Sequence, residues 1–195
     1  FSPNQDCQIV SDTMTGAKRI LRNIIKHAYS HLPQAVKDFI PIEGDSATDI
    51  RFANKSVLSV GTTSRSSTPV FLHVSEFGRI AAKFPDKARE IQTGSIQSVA
   101  SDGNQMVFIE STAMGDNDFK KMVDRATRLK LSGSKLTKLD MKLIFLPWYD
   151  NPMNQLKEGD FTLTDYLKDY FAKLKANLTP EQIRWYCTQY EILGP

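Results

Sequence analysis

Pro69-Val70-Phe71-Leu72-His73-Val74-Ser75-Glu76 is the stretch on which the reading of this chain turns. Apart from His73, the run from Pro69 to Val74 is apolar, and it ends on a hydroxyl and an acid. A nearly continuous apolar run predicts a strand buried on both faces and parallel to its neighbours. Many α/β nucleotidases place a catalytic acid by releasing a carboxylate at the C-terminal end of such a strand. A second run, Met106-Val107-Phe108-Ile109-Glu110-Ser111-Thr112-Ala113, predicts the next central strand and releases a Ser-Thr pair.

Outward from these two runs, strand and helix patterns alternate. Asp6 to Ser11, through Cys7-Gln8-Ile9-Val10, reads as a short buried strand. A helix follows, with Ala17, Ile20, Leu21, Ile24, Ile25 and Ala28 on one face, the rhythm of a half-buried helix. Lys18, Arg19, Arg22 and Lys26 lie off that stripe, as a solvated basic face does. Ile50 to Phe52 and Val57 to Val60, joined through Asn54-Lys55, read as a hairpin. Pro85-Asp86 opens a helix with Ala88, Ile91 and Ile96 inward, and Phe119, Met122, Val123 and Ala126 line another. Met141 to Leu146, stopped by Pro147, reads as a further strand. The segments Glu43 to Asp49 and Leu131 to Lys138 read as polar loops. The tail is helical: Tyr166, Leu167, Tyr170, Phe171 and Leu174 form one stripe. Thr179-Pro180-Glu181-Gln182 is a capping box with proline in the first turn.

Strands separated by helices define an α/β fold with a layered, mostly parallel sheet, to which the hairpin adds an antiparallel element. The simplest organisation is one α/β domain over residues 1–150 and a helical linker or appendage over residues 151–195. The 195 residues are 41% hydrophobic and 24% charged, the balance of an ordinary globular chain. A net charge of +3 is too mild to define a nucleic-acid partner by itself. No stretch approaches the roughly 20 apolar residues of a membrane span. Cys7 and Cys187 share no metal spacing and read as reduced thiols of a cytoplasmic protein. A chain that begins at Phe1 is expected to be a piece of a longer one.

Glu76 carries the chemistry. A carboxylate at that place can polarise a water for attack on a phosphoryl group, or it can simply cap the turn that follows. Ser75 stands where nucleoside triphosphatases usually carry an aspartate for the magnesium shell; a hydroxyl binds a magnesium-bound water but brings no charge. Ser111 and Thr112, followed by Ala113, can sense a terminal phosphate, or form an ordinary turn. Arg65, in the polar loop Thr62 to Thr68, can hold a phosphate or a DNA backbone, or be solvated. Trp148 and Tyr149 read as packing residues rather than base-stacking ones. His27, His31 and His73 have no partners at ligand spacing, so no metal held directly by protein ligands is expected. Gly133-Ser134-Lys135 resembles the end of a phosphate loop but lacks its first glycine, and no G-x-x-x-x-G-K-[ST] occurs in the chain.

Taken in order, several segments carry a resemblance: Leu32-Pro33, Asn54-Lys55-Ser56, Thr63-Ser64-Arg65, Leu72-His73-Val74-Ser75-Glu76-Phe77 and Glu110-Ser111-Thr112-Ala113-Met114-Gly115. Phe145-Leu146-Pro147-Trp148 and Leu178 to Tyr186, with its Gln-x-x-Trp-Tyr, complete the series. This order resembles the large terminase subunit of tailed bacteriophages and prophages, the motor that packages DNA into the capsid. The resemblance covers most of the chain. It implies a partial ATPase domain of the P-loop, additional-strand type, lying between the phosphate loop and a nuclease domain.

Under that resemblance Val70 to Val74 matches the Walker B strand, Glu76 the catalytic glutamate and Ser75 the usual aspartate position. Ser111, Thr112 and Ala113 match the motif that couples hydrolysis to movement. Arg65 matches a loop arginine commonly followed by glycine, where this chain has Ser66, and Lys55 stands where glycine is common. The resemblance implies ATP and Mg2+ as cofactors of the intact protein. Its implied partners are double-stranded DNA, a small terminase subunit and a portal protein, with room for a homo-oligomer, and its implied location is the host bacterial cytoplasm. Without a phosphate loop, the 195 residues alone are expected not to turn over ATP. The alternatives are a non-catalytic prophage-derived module that binds DNA or protein, and a helicase-like ATPase sharing the same strands.

Overall fold

The computed structural model describes residues 2–64, 68–99 and 105–194. The chain forms two compact units, Phe1–Lys142 and Leu143–Pro195. Among the described residues the first holds six strands: β1 (Asp6–Val10), β2 (Ile42–Asp45), β3 (Asp49–Phe52), β4 (Val57–Gly61), β5 (Phe71–Val74) and β6 (Met106–Ile109). They make one sheet in the order β2-β3-β4-β1-β5-β6. β1 runs parallel to β4 and β5, and β5 parallel to β6; β3 is antiparallel to both β2 and β4.

Alternation along β1 sets the layers. Ile9 and Val10 point to opposite faces, as neighbours on a strand must, and each enters a separate core. Val10 joins Leu72 and Val74 of β5 and Phe77, Ile80, Ala81, Ala88 and Ile91. Those last five come from α4 (Phe77–Lys83), α5 (Pro85–Glu90) and the π-helical turn Ile91–Ser95. Phe119 and Met122 of α6 (Asp118–Leu131) pack on the same core. Ile9 joins Ile50 and Val60 of the sheet with Ala17 and Leu21. The latter two lie on one continuous helical stretch: α1 (Met14–Ile20), a π-helical turn Leu21–Lys26 and α2 (His27–Ser30). A short α3 (Gln34–Phe39) leads into β2. Helices thus cover both faces of a mixed sheet, the layered α/β architecture expected from the alternating pattern.

Four expectations are corrected. β6 is not a central strand: it closes the sheet, and Met106 and Phe108 are 52% and 46% exposed because no strand lies beyond it among the described residues. β5 is buried on one face only, since Phe71 and His73 are half-buried. Glu43 to Asp49 is not all loop: β2 pairs with β3 through a register shift between Ile42 and Gly44, a bulge of the kind that shelters a polar edge strand. Met141 to Leu146 is not a strand: Ile144, Phe145 and Leu146 are largely exposed, and without a partner ladder an apolar run forms no strand.

The second unit contains a single 3-10 turn, Trp148–Asp150, with α7 (Asp165–Leu174) and α8 (Pro180–Leu193). The capping box is formed: the Thr179 hydroxyl accepts from the Gln182 N–H, and Gln182 Oε1 accepts from the Thr179 N–H at 2.9 Å. Leu167 and Cys187 are fully buried in it, and the unit carries an aromatic stack. Tyr170 stacks on Tyr186 at 4.8 Å and Trp148 on Trp185 at 5.6 Å. The Trp148 indole N–H donates to the Tyr170 hydroxyl at 3.1 Å, so Trp148 is a packing residue. Both cysteines are free thiols, and burial pushes the pKa of each up. Among the described residues no helix is long and apolar enough to cross a membrane.

Candidate active site

The carboxyl ends of β1, β5 and β6 lie side by side, because all three strands are parallel. The ladder carries on past the strand ends. The Ser75 N–H donates to the Val10 carbonyl at 2.8 Å, and the Glu110 N–H to the Val74 carbonyl at 3.0 Å. Ser75 is buried and Glu76 half-buried. Glu76 is the hinge between β5 and α4, and its backbone is left-handed, with φ 58° and ψ 40°. Side chains other than glycine lose roughly 1–2 kcal/mol in that region, so the position stores strain of the sort that collects at functional turns. The Glu76 carbonyl accepts from the Ile80 N–H at 3.0 Å, while its side chain makes no capping bond to α4. The carboxylate is therefore not spent on capping the turn.

Glu110 is a site residue that the sequence reading passed over. Its carboxylate lies 3.5 Å from His73 Nε2 on the neighbouring strand. The hydrogen bond from His73, with smaller contributions from the Ser75 hydroxyl and the Glu76 N–H, holds Glu110 below the usual glutamate pKa despite partial burial. His73 and Glu110 are each the polar residue of an apolar run, but the register that brings them together, His73 opposite Phe108 and Val74 opposite Ile109, is written in neither run.

Beyond Glu110, Ser111 turns towards α4. A Cβ added at Gly78 would stand 2.7 Å from Ser111 Oγ and 3.0 Å from the Thr112 carbonyl. Glycine at 78 is thus what lets the Ser111-Thr112 segment lie against the first turn of α4. Ser111 Oγ is buried with no hydrogen-bond partner, and Thr112 and Ala113 are exposed. Asn117 secures the segment: its amide donates to the Gly78 carbonyl at 3.2 Å and the Met114 carbonyl at 2.8 Å, while its Oδ1 caps α6. Ser75, Glu76, Ser111 and Thr112 therefore sit around one pair of strand ends.

A second charged group flanks them at the end of β1. Asp12 Oδ2 pairs with Arg79 Nε of α4 at 3.2 Å, and Lys87 of α5 donates to the carbonyls of Ser11 and Asp12 at 3.3 and 2.9 Å. Burial pushes the Lys87 pKa down, against the pull of Asp12 and Glu90. Arg65 lies outside the described residues. Its neighbour Ser64 is buried and donates its N–H to Ser95 Oγ at 3.3 Å. Lys55 has φ 68°, the left-handed region where glycine is favoured. Among the described residues no group of three or more His, Cys, Asp or Glu side chains gathers to hold a metal ion.

A mixed, mostly parallel sheet with an acid and a Ser-Thr pair at adjacent strand ends defines a class of fold, and known structures bear on it. No protein-family model and no curated protein matches the sequence. Among solved structures the fold is similar to the HK97 bacteriophage large terminase, with a TM-score of 0.53 and 12% sequence identity. The match covers 98% of this chain and 37% of that one. The chain has a terminase-like fold and spans a little over a third of that terminase's length.

Proposed function

We propose that this chain is the later part of the ATPase domain of a phage or prophage large terminase, a motor that drives double-stranded DNA into a capsid. The observation that carries the reading is the left-handed Glu76, its carboxylate left free by α4, beside the Ser111-Thr112 turn in a terminase-like fold. In this reading Glu76 is the general base that takes a proton from the attacking water. The Ser75 hydroxyl would hold a water of the Mg2+ shell rather than the ion itself. The orphaned Ser111 hydroxyl and the exposed Thr112 answer to the terminal phosphate. Bound ATP with Mg2+ supplies the phosphoanhydride to be cut and the neutralising charge. Loss of the phosphate then reaches α4 through the close contact at Gly78. The phosphate loop comes from sequence outside these 195 residues, since none lies within them. Small terminase subunit and portal protein are the proposed partners, and the host cytoplasm the proposed location.

The test is the gene-encoded reading frame that contains these residues. The expected result is a G-x-x-x-x-G-K-[ST] after a strand upstream, ATP hydrolysis by the expressed protein, and a loss of about 100-fold or more in Glu76→Gln. Hydrolysis unchanged in Glu76→Gln, or a reading frame without any phosphate loop, overturns the reading. The residues 1–195 alone are expected to show no Glu76-dependent turnover.

A further inference from the structure

We propose that His27 and His31 chelate a divalent transition-metal ion, one that takes its ligands at right angles as Ni2+ and Cu2+ do, at the carboxyl end of the first helical stretch. The site is independent of the ATPase reading. The helical stretch covers residues 14–30, with His27 in its last turn and His31 as its C-cap. Residues four apart share a helix face. Both side chains are exposed, and their rings lie 4.2 Å apart, centre to centre, tilted by 32°. Neither histidine has a cysteine or carboxylate at ligand spacing in the sequence, but each has the other. The ring separation selects the geometry. Imidazole nitrogens about 2.1 Å from one ion put the ring centres about 4.5 Å apart at about 90°, and about 5.2 Å apart at the tetrahedral angle. The observed 4.2 Å matches the right-angled arrangement and falls well short of the tetrahedral one.

Hydrogen bonds assign the nitrogen that takes the ion. The Ser30 hydroxyl gives its only proton to the His27 carbonyl at 2.7 Å, and His31 Nδ1 stands 2.8 Å from the same carbonyl. A carbonyl only accepts, so Nδ1 carries the hydrogen and the neutral imidazole keeps its lone pair on Nε2. Metal-binding histidines are oriented in this way, by a carbonyl or carboxylate on the other ring nitrogen. The end of the helix adds to the attraction, because its last carbonyls carry the negative pole of the helix dipole and favour a cation in that turn. The basic residues nearby are engaged elsewhere. Lys26 pairs with Asp45 and donates to the Ser46 carbonyl at 2.9 Å, and Lys37 donates to the Ser30 carbonyl at 3.3 Å. Two imidazoles fill two places around the ion and leave the others to water or to a donor from outside. The chelate would clamp the turn that follows the π-helical segment Leu21–Lys26, so a bound ion stabilises the folded chain.

The experiment uses the 195-residue chain, free of any histidine tag, with Ni2+ as the probe and Mg2+ as the control. Calorimetric titration is expected to show one saturable site for Ni2+ and none for Mg2+. His27→Ala and His31→Ala are each expected to weaken Ni2+ binding at least about tenfold, since even a lost outer-shell partner costs about 10–100-fold. His73→Ala is expected to leave it unchanged. The melting temperature should rise with Ni2+ concentration in the native chain and in His73→Ala, and stay fixed in His31→Ala. Ni2+ binding that is absent from the native chain, or unchanged in His31→Ala, overturns the proposal. Zn2+ is expected to bind more weakly than Ni2+, and the reverse order overturns the right-angled site. Should a variant fail to fold, paramagnetic broadening in the native chain decides. As Ni2+ is added, the amide signals around His27 and His31 are expected to vanish first in two-dimensional NMR spectra. Broadening centred on His73, or spread over surface carboxylates, overturns the proposal.

Discussion

Two neighbouring residues, Glu76 and Gly78, carry the backbone logic of the site. Replacing Glu76 by glycine removes about 1 kcal/mol of left-handed strain and gives back roughly 0.5 kcal/mol in unfolded-chain entropy. Glu76→Gly is therefore expected to raise the unfolding free energy slightly, read from urea melts, while destroying any catalysis. A fall in stability sinks the claim of strain. Gly78→Ala is expected to cost about 1–3 kcal/mol, the usual range for overpacking. Its new methyl would meet Ser111 Oγ and the Thr112 carbonyl, so crosspeaks of residues 111–113 should shift with it. The sequence exposed the acid and the Ser-Thr pair, because each ends an apolar run. Glu110 stayed hidden because its importance is a matter of registry: Val74 opposite Ile109 is a pairing that no local pattern contains. Nor does any sequence pattern show that Glu76 is left-handed, since the residue that marks such turns is usually glycine.

At the scale of elements, the strongest local signals were the most dependable. The Thr179 to Gln182 box is formed as spaced, and Gln182 Nε2 also donates to the Tyr149 carbonyl at 2.7 Å. Thr179→Ala is expected to cost about 1 kcal/mol, the usual value of a lost N-cap, seen as reduced α8 helicity and earlier melting. No change in either would mean that tertiary packing alone holds α8. The helices that the sequence hid are α3 and α4. α4 follows its strand with no capping side chain, so its start has no sequence mark. Met141 to Leu146 erred the other way, since apolar residues in a row suit a strand only when a neighbour offers its hydrogen bonds. β2 was obscured by Glu43, Gly44 and Asp45, which suit an edge but not a core.

The whole molecule exposes an asymmetry between its sheet edges. The β2 edge carries Glu43 and Asp45 and a bulge, devices that discourage a second sheet from adding on. The β6 edge is Met-Val-Phe-Ile, without charge or proline. The 195-residue chain is therefore expected to self-associate with concentration through β6. Met106→Lys with Phe108→Lys should shift its sedimentation profile towards monomer; an unchanged profile means that this edge is not the contact. The sheet order bears on synthesis as well. β1 lies in the middle of the sheet yet is translated before every strand it touches. Its partners β4 and β5 begin at Val57 and Phe71, so β1 can join these two ladders only after the segments that carry them have followed it from the ribosome. The apolar segment Ile9-Val10 waits through that interval without a partner. Chaperone demand during translation should accordingly peak before β5 emerges and fall once it has paired.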